Sequence, residues 1–515
     1  MATADSEITG GRYRLNRSKL ASEIVPEQVL PKVLNTFDGI SLYVYIIFFI
    51  NASAIIALGG WSTTQFQILG VIVFMIPSAM AVAELGGVWP AEGGIYVWAS
   101  KTMPGPVAFF GGFFSWAPII LNAATHPAVI LALIELAFPS FAPNTTASVL
   151  LYLVFMWIPI CIALMKLRVS RNAANTVFVY YMAIVALVVG VGIYIAVSHG
   201  QPANPVHPHM FTTFNFAIYG SYFGLILLNF LGVEAPFNMG AEVINARRTL
   251  LRTVVWGSAI IVVAYIFVTT AILLATPVKS INAAAGALQV LDEGIHSPVF
   301  IKIIALSMIA VIIMADVTYQ QTFSRLLYVS GLERHLPRIF THINPRTKNP
   351  VTALLFTGAL TSVVIIVFYS QSSLQNTFLI LQGALTVTWL IAGLFFFIPV
   401  PLARKMYRER YSERFWRIPG GFTGALIVVG VGLIASCVGI YYTLIESFSS
   451  SISKTTWTAS VAGVVGGLAV LAGLAYISGS RSGRKTSEEE LLASLIPGSG
   501  NSTTAANDNP RGASS

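Results

Sequence analysis

The sequence predicts an all-α membrane protein with twelve spanning helices. Hydrophobic residues make up 55% of the 515 residues and charged residues only 10%, whereas a soluble chain carries about 25% charged residues. Twelve apolar runs come close to the roughly 20 residues that a helix needs to cross a bilayer. The basic residues fall almost entirely between alternate runs. These observations exclude a soluble multidomain enzyme and a disordered chain.

The apolar runs define the predicted spans in chain order. They cover residues 39–60, 65–84, 105–137, 147–165, 174–197, 214–239, 253–276, 298–322, 350–370, 376–400, 422–446 and 456–478. No stretch between them is long enough for a soluble nucleotide-binding domain, which argues against an ATP-driven pump. Two cysteines are too few for a disulfide-built scaffold.

The positions of the basic residues predict the orientation of the chain. With the N-terminus inside, 27 of the 30 Lys and Arg residues lie in the termini and in alternate loops on one side, and only Lys279, Lys302 and Lys454 lie on the other. Such a bias is typical of twelve spans with both termini in the cytoplasm. We therefore expect a plasma-membrane protein, or an inner-membrane protein in a bacterium, whose partner is the lipid bilayer and not a nucleic acid.

The spacing of the spans predicts an internal repeat. Residues 1–37 form a polar N-terminal segment, residues 38–480 the transmembrane domain, and residues 481–515 a polar, mostly disordered tail. Spans 1–5 (about 39–197) and 6–10 (about 214–400) follow each other with similar spacing, and two extra helices, 422–446 and 456–478, come after them. An odd number of helices per repeat inverts the second copy, which is a known route to alternating access.

The first helix of each repeat is expected to be broken near its middle. Span 6 contains Gly232 and Pro236, which are poor helix formers. Span 1 contains a small and polar stretch at 50–54. An unwound segment would free backbone groups for a substrate carboxylate and amine; the alternative is a continuous helix that packs closely against its neighbours. The predicted substrate-binding residues are Asn51, Ala52, Ser53, Phe230, Leu231, Gly232, Val233 and Tyr319, of which Phe230 and Tyr319 would cover the substrate.

Ionisable residues inside spans are costly, and this makes them functional candidates. Glu234 lies in the span 6 break and Asp316 in span 8, and either carboxyl group could hold a proton or a substrate amine. The alternative for both is a structural, hydrogen-bonded acid near the headgroups. His126 shares a helix face with Asn122 and could relay protons or simply pack. Glu84, at the inner end of span 2, is a candidate gate residue.

Enzyme chemistry finds no support in the sequence. No metal-ligand cluster, phosphate-binding loop or nucleophile–base motif stands out, so we predict no metal, no cofactor and no catalytic residue. The expected partners are a small-molecule substrate and protons, and the oligomeric state is left open.

Four segments of the sequence carry a family resemblance. They read Pro-Ala-Glu-Gly-Gly-Ile-Tyr-Val-Trp at 90–98, Phe-Leu-Gly-Val-Glu at 230–234, Ser-Arg-Leu-Leu-Tyr at 324–328 and Arg-Ile-Pro-Gly-Gly at 417–421. Together they resemble the amino acid–polyamine–organocation permeases. The last segment resembles the branch that contains the glutamate/GABA antiporters.

This resemblance implies a leucine-transporter-like fold, with a five-plus-five inverted repeat and two extra helices. It also implies secondary active transport of amino acids or related amines by alternating access, either proton-coupled as a symporter or by exchange as an antiporter. The alternative function is a transporter-like sensor that binds an amino acid without net transport. Span 1 lacks the Gly-Ser-Gly-like string of many such permeases, and span 5 lacks the lysine found in some relatives.

Overall fold

The computed structural model describes residues 20–206, 214–283, 285–370, 373–413, 415–448 and 451–483. Within these ranges the chain is almost entirely helical and forms no named strand, only two isolated bridges. The predicted disordered tail falls mainly on residues 484–515, which lie outside the described residues.

Nineteen α-helices are found in the described ranges. They are α1 (Ala21–Val29), α2 (Thr36–Ile47), α3 (Ile50–Ala57), α4 (Trp61–Gly70), α5 (Ile76–Val88), α6 (Gly94–Thr102), α7 (Gly105–Trp116), α8 (Pro118–Ala137), α9 (Thr145–Ala163), α10 (Leu167–Ser198), α11 (Phe216–Leu228), α12 (Ala246–Ala275), α13 (Gly286–Ile295), α14 (Pro298–Leu332), α15 (Val351–Tyr369), α16 (Leu374–Phe397), α17 (Pro399–Met406), α18 (Gly421–Ile445) and α19 (Lys454–Gly483). Short 3₁₀ segments and one π-helical turn at Val71–Met75 join some of them.

Eleven helical stretches in the described chain are long and apolar enough to cross a membrane. The sixth predicted span differs from these: α11 is a shorter apolar helix, and the chain after it is not helical until a 3₁₀ turn at Ala235–Asn238. The all-α membrane fold is therefore confirmed. Each predicted span corresponds to one helix or to a pair of helices in series, such as α2 with α3 or α7 with α8.

The eighth span is longer than the sequence predicted. Helix α14 continues to Leu332, ten residues beyond the predicted end at 322. Its last turns carry polar residues, among them Gln321, Ser324 and Arg325, and these are buried inside the protein. Hydropathy marks such residues as a water-facing loop because it cannot register partners that other helices provide.

The break in span 6 lies where the sequence predicts it. Helix α11 ends at Leu228, and Gly232 adopts a backbone φ of 100°. A residue with a Cβ atom is strained in this conformation, which glycine adopts freely. Pro236 follows in the 3₁₀ turn.

The break in span 1 lies earlier than predicted. Helix α2 ends at Ile47 and α3 begins at Ile50, so the chain is extended at Phe48 and Phe49. The expectation of an unwound segment over 50–54 was wrong, because Asn51, Ala52 and Ser53 lie in the first turn of α3. The small residues here serve close packing: the Cβ of Ala54 lies 2.8 Å from the point where Gly286 would carry a Cβ.

The two ends of the bundle differ. We call the end that holds α1, the loop 89–93 and α17 the α1 end, and the opposite end the α13 end. At the α1 end the amides of Val33 and Leu34 both donate to the carbonyl of Glu242, and the amide of Ile244 donates back to the carbonyl of Leu34. This short bridge joins the chain before span 1 to the chain after span 6.

Candidate functional site

A cavity lies in the middle of the bundle, between the span 1 break, α8, α11, α14 and α16. Its free volume is about 50 Å³, enough for a few water molecules. The lining residues are Ile46, Ile47, Phe49, Asn51, Ala52, Ile55, Asn122, His126, Val129, Leu225, Leu228, Asn229, Tyr319, Gln382, Leu385 and Trp389.

Five of the residues predicted from the sequence line this cavity: Asn51, Ala52, Asn122, His126 and Tyr319.

The structure does not bring the other predicted substrate-binding residues to the cavity wall. Ser53 is buried with a hydroxyl group that has no hydrogen-bond partner. Phe230 packs its ring at 6.1 Å from that of Tyr265. The remaining predicted residues off the wall are Leu231, Gly232 and Val233.

Asp316 and His126 form a buried pair at the cavity wall. The Asp316 Oδ1 atom lies 2.5 Å from the His126 Nδ1 atom, which joins α14 to α8. Only 3% of Asp316 and 5% of His126 is exposed. The ring of Phe49, at the span 1 break, lies 4.7 Å from the imidazole ring. The pair therefore lies next to the broken helix.

Two amide side chains that line the same cavity have hydrogen-bonding capacity to spare. The Nδ2 atoms of Asn122 and Asn229 have no hydrogen-bond partner, although each residue is only 4% exposed. Buried polar atoms of this kind are nearly always hydrogen-bonded in proteins. A polar ligand in the cavity would supply the missing acceptors.

Three tyrosine hydroxyl groups satisfy the backbone at the span 1 break. Tyr265 donates to the carbonyl of Ile47 (2.6 Å) and accepts from the amide of Phe49 (3.1 Å). Tyr181 accepts from the amide of Ile50 (2.9 Å) and donates to the carbonyl of Phe48 (3.2 Å).

The third hydroxyl belongs to Tyr319, which donates to the carbonyl of Ile46. Sequence reasoning missed the first two tyrosines. The signal for them was a tyrosine in the middle of an otherwise apolar span, because a buried hydroxyl needs a partner.

Glu234 lies behind the cavity and is fully buried. Its Oε1 atom accepts a hydrogen bond from the indole N–H of Trp389 (3.1 Å) and a longer one from the Ser115 hydroxyl (3.5 Å). Its Oε2 atom has no partner. Trp389 lines the cavity, so this indole stands between the carboxyl group and any bound molecule.

The cavity continues toward the α13 end. A wider vestibule of about 650 Å³ opens there and shares the residues Asn51, Ile55 and Val129 with the cavity wall. Glu135 lines the vestibule and is exposed.

A charged clamp centred on Glu84 lies at the α1 end. Its carboxylate accepts hydrogen bonds from Arg404 Nε at 2.7 Å and from Arg404 Nη2 at 2.5 Å. The Tyr411 hydroxyl (3.2 Å) and the amide of Ile418 (2.8 Å) donate to the same carboxylate. The clamp joins the end of α5 to α17 and to the chain before α18, where a gate residue would have to act. The gate role of Glu84 stays a prediction.

In the described part of the chain, no group of three or more His, Cys, Asp or Glu side chains is arranged so that it could hold a metal ion.

Comparison with known proteins shows which family the chain belongs to. The model of the family described as "Amino acid permease" matches residues 34–483. A Lactococcus lactis protein named as a probable agmatine/putrescine antiporter is 22% identical over 64% of this chain and 71% of its own length. A glutamate/gamma-aminobutyrate antiporter of the same species is 23% identical over 76% of this chain and 79% of its own.

Solved structures with the same fold include the manganese transporter of Eremococcus coleocola, in a mutant form with a histidine replaced by alanine. It matches with a TM-score of 0.54 and 14% identity, and covers 90% of this chain and 100% of that one. At this identity the likeness concerns the fold alone, which agrees with the leucine-transporter-like arrangement expected from the sequence.

Proposed function

Since the chain belongs to the amino acid permease family, we propose that it carries amine-bearing amino acids or related amines through the central cavity by alternating access, in exchange for a proton or a second amine. As a member of this family the protein is a multi-pass membrane transporter of amino acids or amines, not an enzyme. The proposal adds the substrate class, the coupling and the residues.

The observation that supports the proposal is the buried pair of Asp316 and His126, together with two unpartnered amides that line the same cavity as His126. The Asp316 carboxylate suits an ammonium group, and the Nδ2 donors of Asn122 and Asn229 suit a carboxylate. Asn122, Asn229 and His126 line the same cavity, and Asp316 stands directly behind His126. An α-amino acid carries both groups on its α-carbon.

The charge of the site favours amines over acids. No Lys or Arg is among the residues that line the cavity, while two buried carboxyl groups, Asp316 and Glu234, stand directly behind the lining residues His126 and Trp389. Placing a second carboxylate of a substrate here would add an unpaired buried charge, which is costly. Neutral amino acids, basic amino acids and diamines fit better than glutamate.

The same pair offers a route to coupling. A buried carboxylate requires one positive partner, and either a protonated His126 or the substrate ammonium group can supply it to Asp316. Binding of substrate and retention of the proton then exclude each other. Exclusion of this kind produces exchange between an amine and a proton.

The direction of access follows from the two ends of the bundle. The vestibule reaches the cavity from the α13 end, while the α1 end is closed. With the basic side and both termini in the cytoplasm, this is a state that faces outward. We place the protein in the plasma membrane, or in the inner membrane of a bacterium.

The test is a counterflow assay with the purified chain in proteoliposomes. Vesicles loaded with unlabelled amino acid or amine are given labelled alanine, lysine, putrescine or glutamate. We expect uptake of the first three types to exceed that of glutamate, and Asp316→Asn to reduce amine uptake at least tenfold. Asp292→Asn, the same change at an exposed position of α13, should behave as the wild type.

Each outcome bears on one part of the proposal. Equal uptake by Asp316→Asn and wild type across pH would remove the role of the pair. Preference for glutamate would overturn the substrate class. Saturable binding without flux in either direction would favour the sensor.

A further inference from the structure

A second cluster of buried charges lies at the α1 end, away from the cavity. It consists of Glu92 in the loop between α5 and α6, Glu242 after the span 6 break, and Arg325 in α14. Their exposed fractions are 0%, 1% and 1%. We call these three residues the inner triad.

The guanidinium group of Arg325 is fully engaged without Glu92. Its Nε and Nη2 atoms donate to the Glu242 Oε1 atom at 3.0 and 2.9 Å. Nη2 also reaches Asn349 Oδ1 at 3.2 Å, and Nη1 donates to the carbonyl of Gln321 at 2.5 Å. One carboxylate and neutral oxygen acceptors thus satisfy the single positive charge.

Glu92 is left with one free oxygen. Its Oε2 atom accepts a hydrogen bond from the amide of Ala241 at 3.0 Å. Its Oε1 atom faces the guanidinium at 3.7 Å from Arg325 Nε, too far for a hydrogen bond, and has no hydrogen-bond partner. A buried carboxylate oxygen needs hydrogen-bond donors, so the missing donor favours the neutral, protonated form of Glu92.

Charge counting leads to the same position. Two carboxylates against one guanidinium would leave the triad with a net negative charge in a site without water access, at a cost of several kcal/mol. Among the described residues, the other titratable group that faces the triad is Tyr328 on α14, a phenol, which carries no charge at neutral pH. Burial, and next the charge of Glu242, raise the pKa of Glu92 well above its usual range.

We propose that the inner triad is a proton-binding site, which holds one proton on Glu92 as long as the α1 end is closed. The site depends on packing, because it joins the loop 89–93, the exit of span 6 and α14. Glu242 also anchors the chain before span 1 through its carbonyl. Separation of these segments admits water, and Glu92 then releases its proton toward that end.

This inference rests on the proposed transport function only for its consequence. If the protein moves its substrate by alternating access, opening of the α1 end and loss of this proton are one event. The triad is then a second proton site, distinct from the pair of Asp316 and His126, and it acts on the gate rather than on the substrate.

The decisive experiment is infrared difference spectroscopy on the full-length protein in lipid. A protonated carboxyl group has its own carbonyl band, separate from that of a carboxylate. At pH 7 the wild-type spectrum minus that of Glu92→Gln should contain one such band. Glutamine mimics the protonated acid, because its oxygen can accept the hydrogen bond from the Ala241 amide and its NH₂ group takes the place of the O–H. Glu409→Gln, at an exposed position of the same end, should contribute no protonated band.

Thermal stability gives a second readout of the same proton. An acid whose folded pKa is raised binds its proton more tightly in the folded state than in the unfolded state. The stability it contributes is therefore fully present below the usual Glu pKa of about 4.3 and is lost as pH rises through the folded pKa. The midpoint of unfolding should fall with rising pH in the wild type, and this slope should be smaller in Glu92→Gln.

The outcomes separate the inference from the proposed function. Absence of the protonated band, together with identical slopes in the two proteins, would overturn the inner triad as a proton site even if transport is normal. A band that is present while no substrate is transported would keep the triad and refute the proposed function.

Discussion

The most informative single substitution is Tyr265→Phe at the span 1 break. The ring stays, so its contacts with Phe48 at 4.8 Å and Phe230 at 6.1 Å are kept. The hydroxyl is lost, and with it the bonds to the carbonyl of Ile47 and the amide of Phe49. The change therefore isolates the hydrogen bonds from the packing.

The magnitude follows from the two groups that lose their partner. Tyr265 is 1% exposed, so water does not replace its hydroxyl at the break. Leaving a buried donor or acceptor unsatisfied costs about 1–3 kcal/mol each, which gives about 2–6 kcal/mol for the pair. If about 2 kcal/mol of this acts on local opening at Phe49, its amide exchanges roughly thirtyfold faster, because about 1.4 kcal/mol is a factor of ten.

The assay is amide hydrogen exchange followed by mass spectrometry, with attention to peptides that contain residues 46–50. Exchange reports local opening free energies, so a hinge effect is visible even when the midpoint of unfolding changes little. We expect faster exchange there and unchanged exchange in α15, which does not touch the break. Tyr194→Phe, at a position that is 63% exposed, is the matched control.

One result would refute the reasoning. If Tyr265→Phe folds normally and residues 46–50 exchange at the wild-type rate, the hydroxyl does not hold the break. The extended geometry at Phe48 and Phe49 would then be set by packing alone.

Two further substitutions test the span 6 break and the closed α1 end. In Gly232→Ala the new Cβ lies 3.0 Å from the Trp389 ring and the φ of 100° becomes unfavourable, so we expect a loss of about 1–3 kcal/mol of stability, measured as a lower midpoint of thermal unfolding. Gly190→Ala, where a Cβ meets nothing within 4 Å, should cause no loss. An equal midpoint for both variants would contradict the strain at Gly232. Glu84→Ala leaves Arg404 without its carboxylate partner at a site where the Glu84 side chain is 0% and the Arg404 side chain 10% exposed, so we expect about 3–5 kcal/mol of destabilisation. We also expect greater accessibility of the α1 end to a thiol or amine label. Unchanged labelling would argue against a closing role for the clamp.

The sequence was sufficient for features that depend on composition along one segment. Apolar length identified the spans, and the pairing of Gly232 with Pro236 located the span 6 break, because these residues disfavour a helix whatever surrounds them. The buried acids Glu234 and Asp316 stood out for the same reason: a charged residue in an apolar run is conspicuous by itself.

Features that depend on distant partners were not visible. The span 1 break is fixed by hydroxyl groups that lie more than 130 positions away in the chain, on Tyr181 and Tyr265. Arg325 looked like a loop residue, since nothing near it in sequence shows that Glu242 would pair with it. His126 became a partner of Asp316 only when α8 and α14 were seen to cross.

The short backbone bridge between Leu34 and Val243 has a mechanical consequence. The chain that leads into one broken helix is hydrogen-bonded to the chain that leaves the other. At the α1 end, spans 1 and 6 are therefore expected to move as one unit and not independently. A force on either half-helix is passed to its counterpart through backbone hydrogen bonds, which do not depend on side-chain identity. When this end opens, the joined ends of spans 1 and 6 are therefore expected to move together away from α14. The interface that separates is the one that carries Glu242 on the side of span 6 and Arg325 on the side of α14.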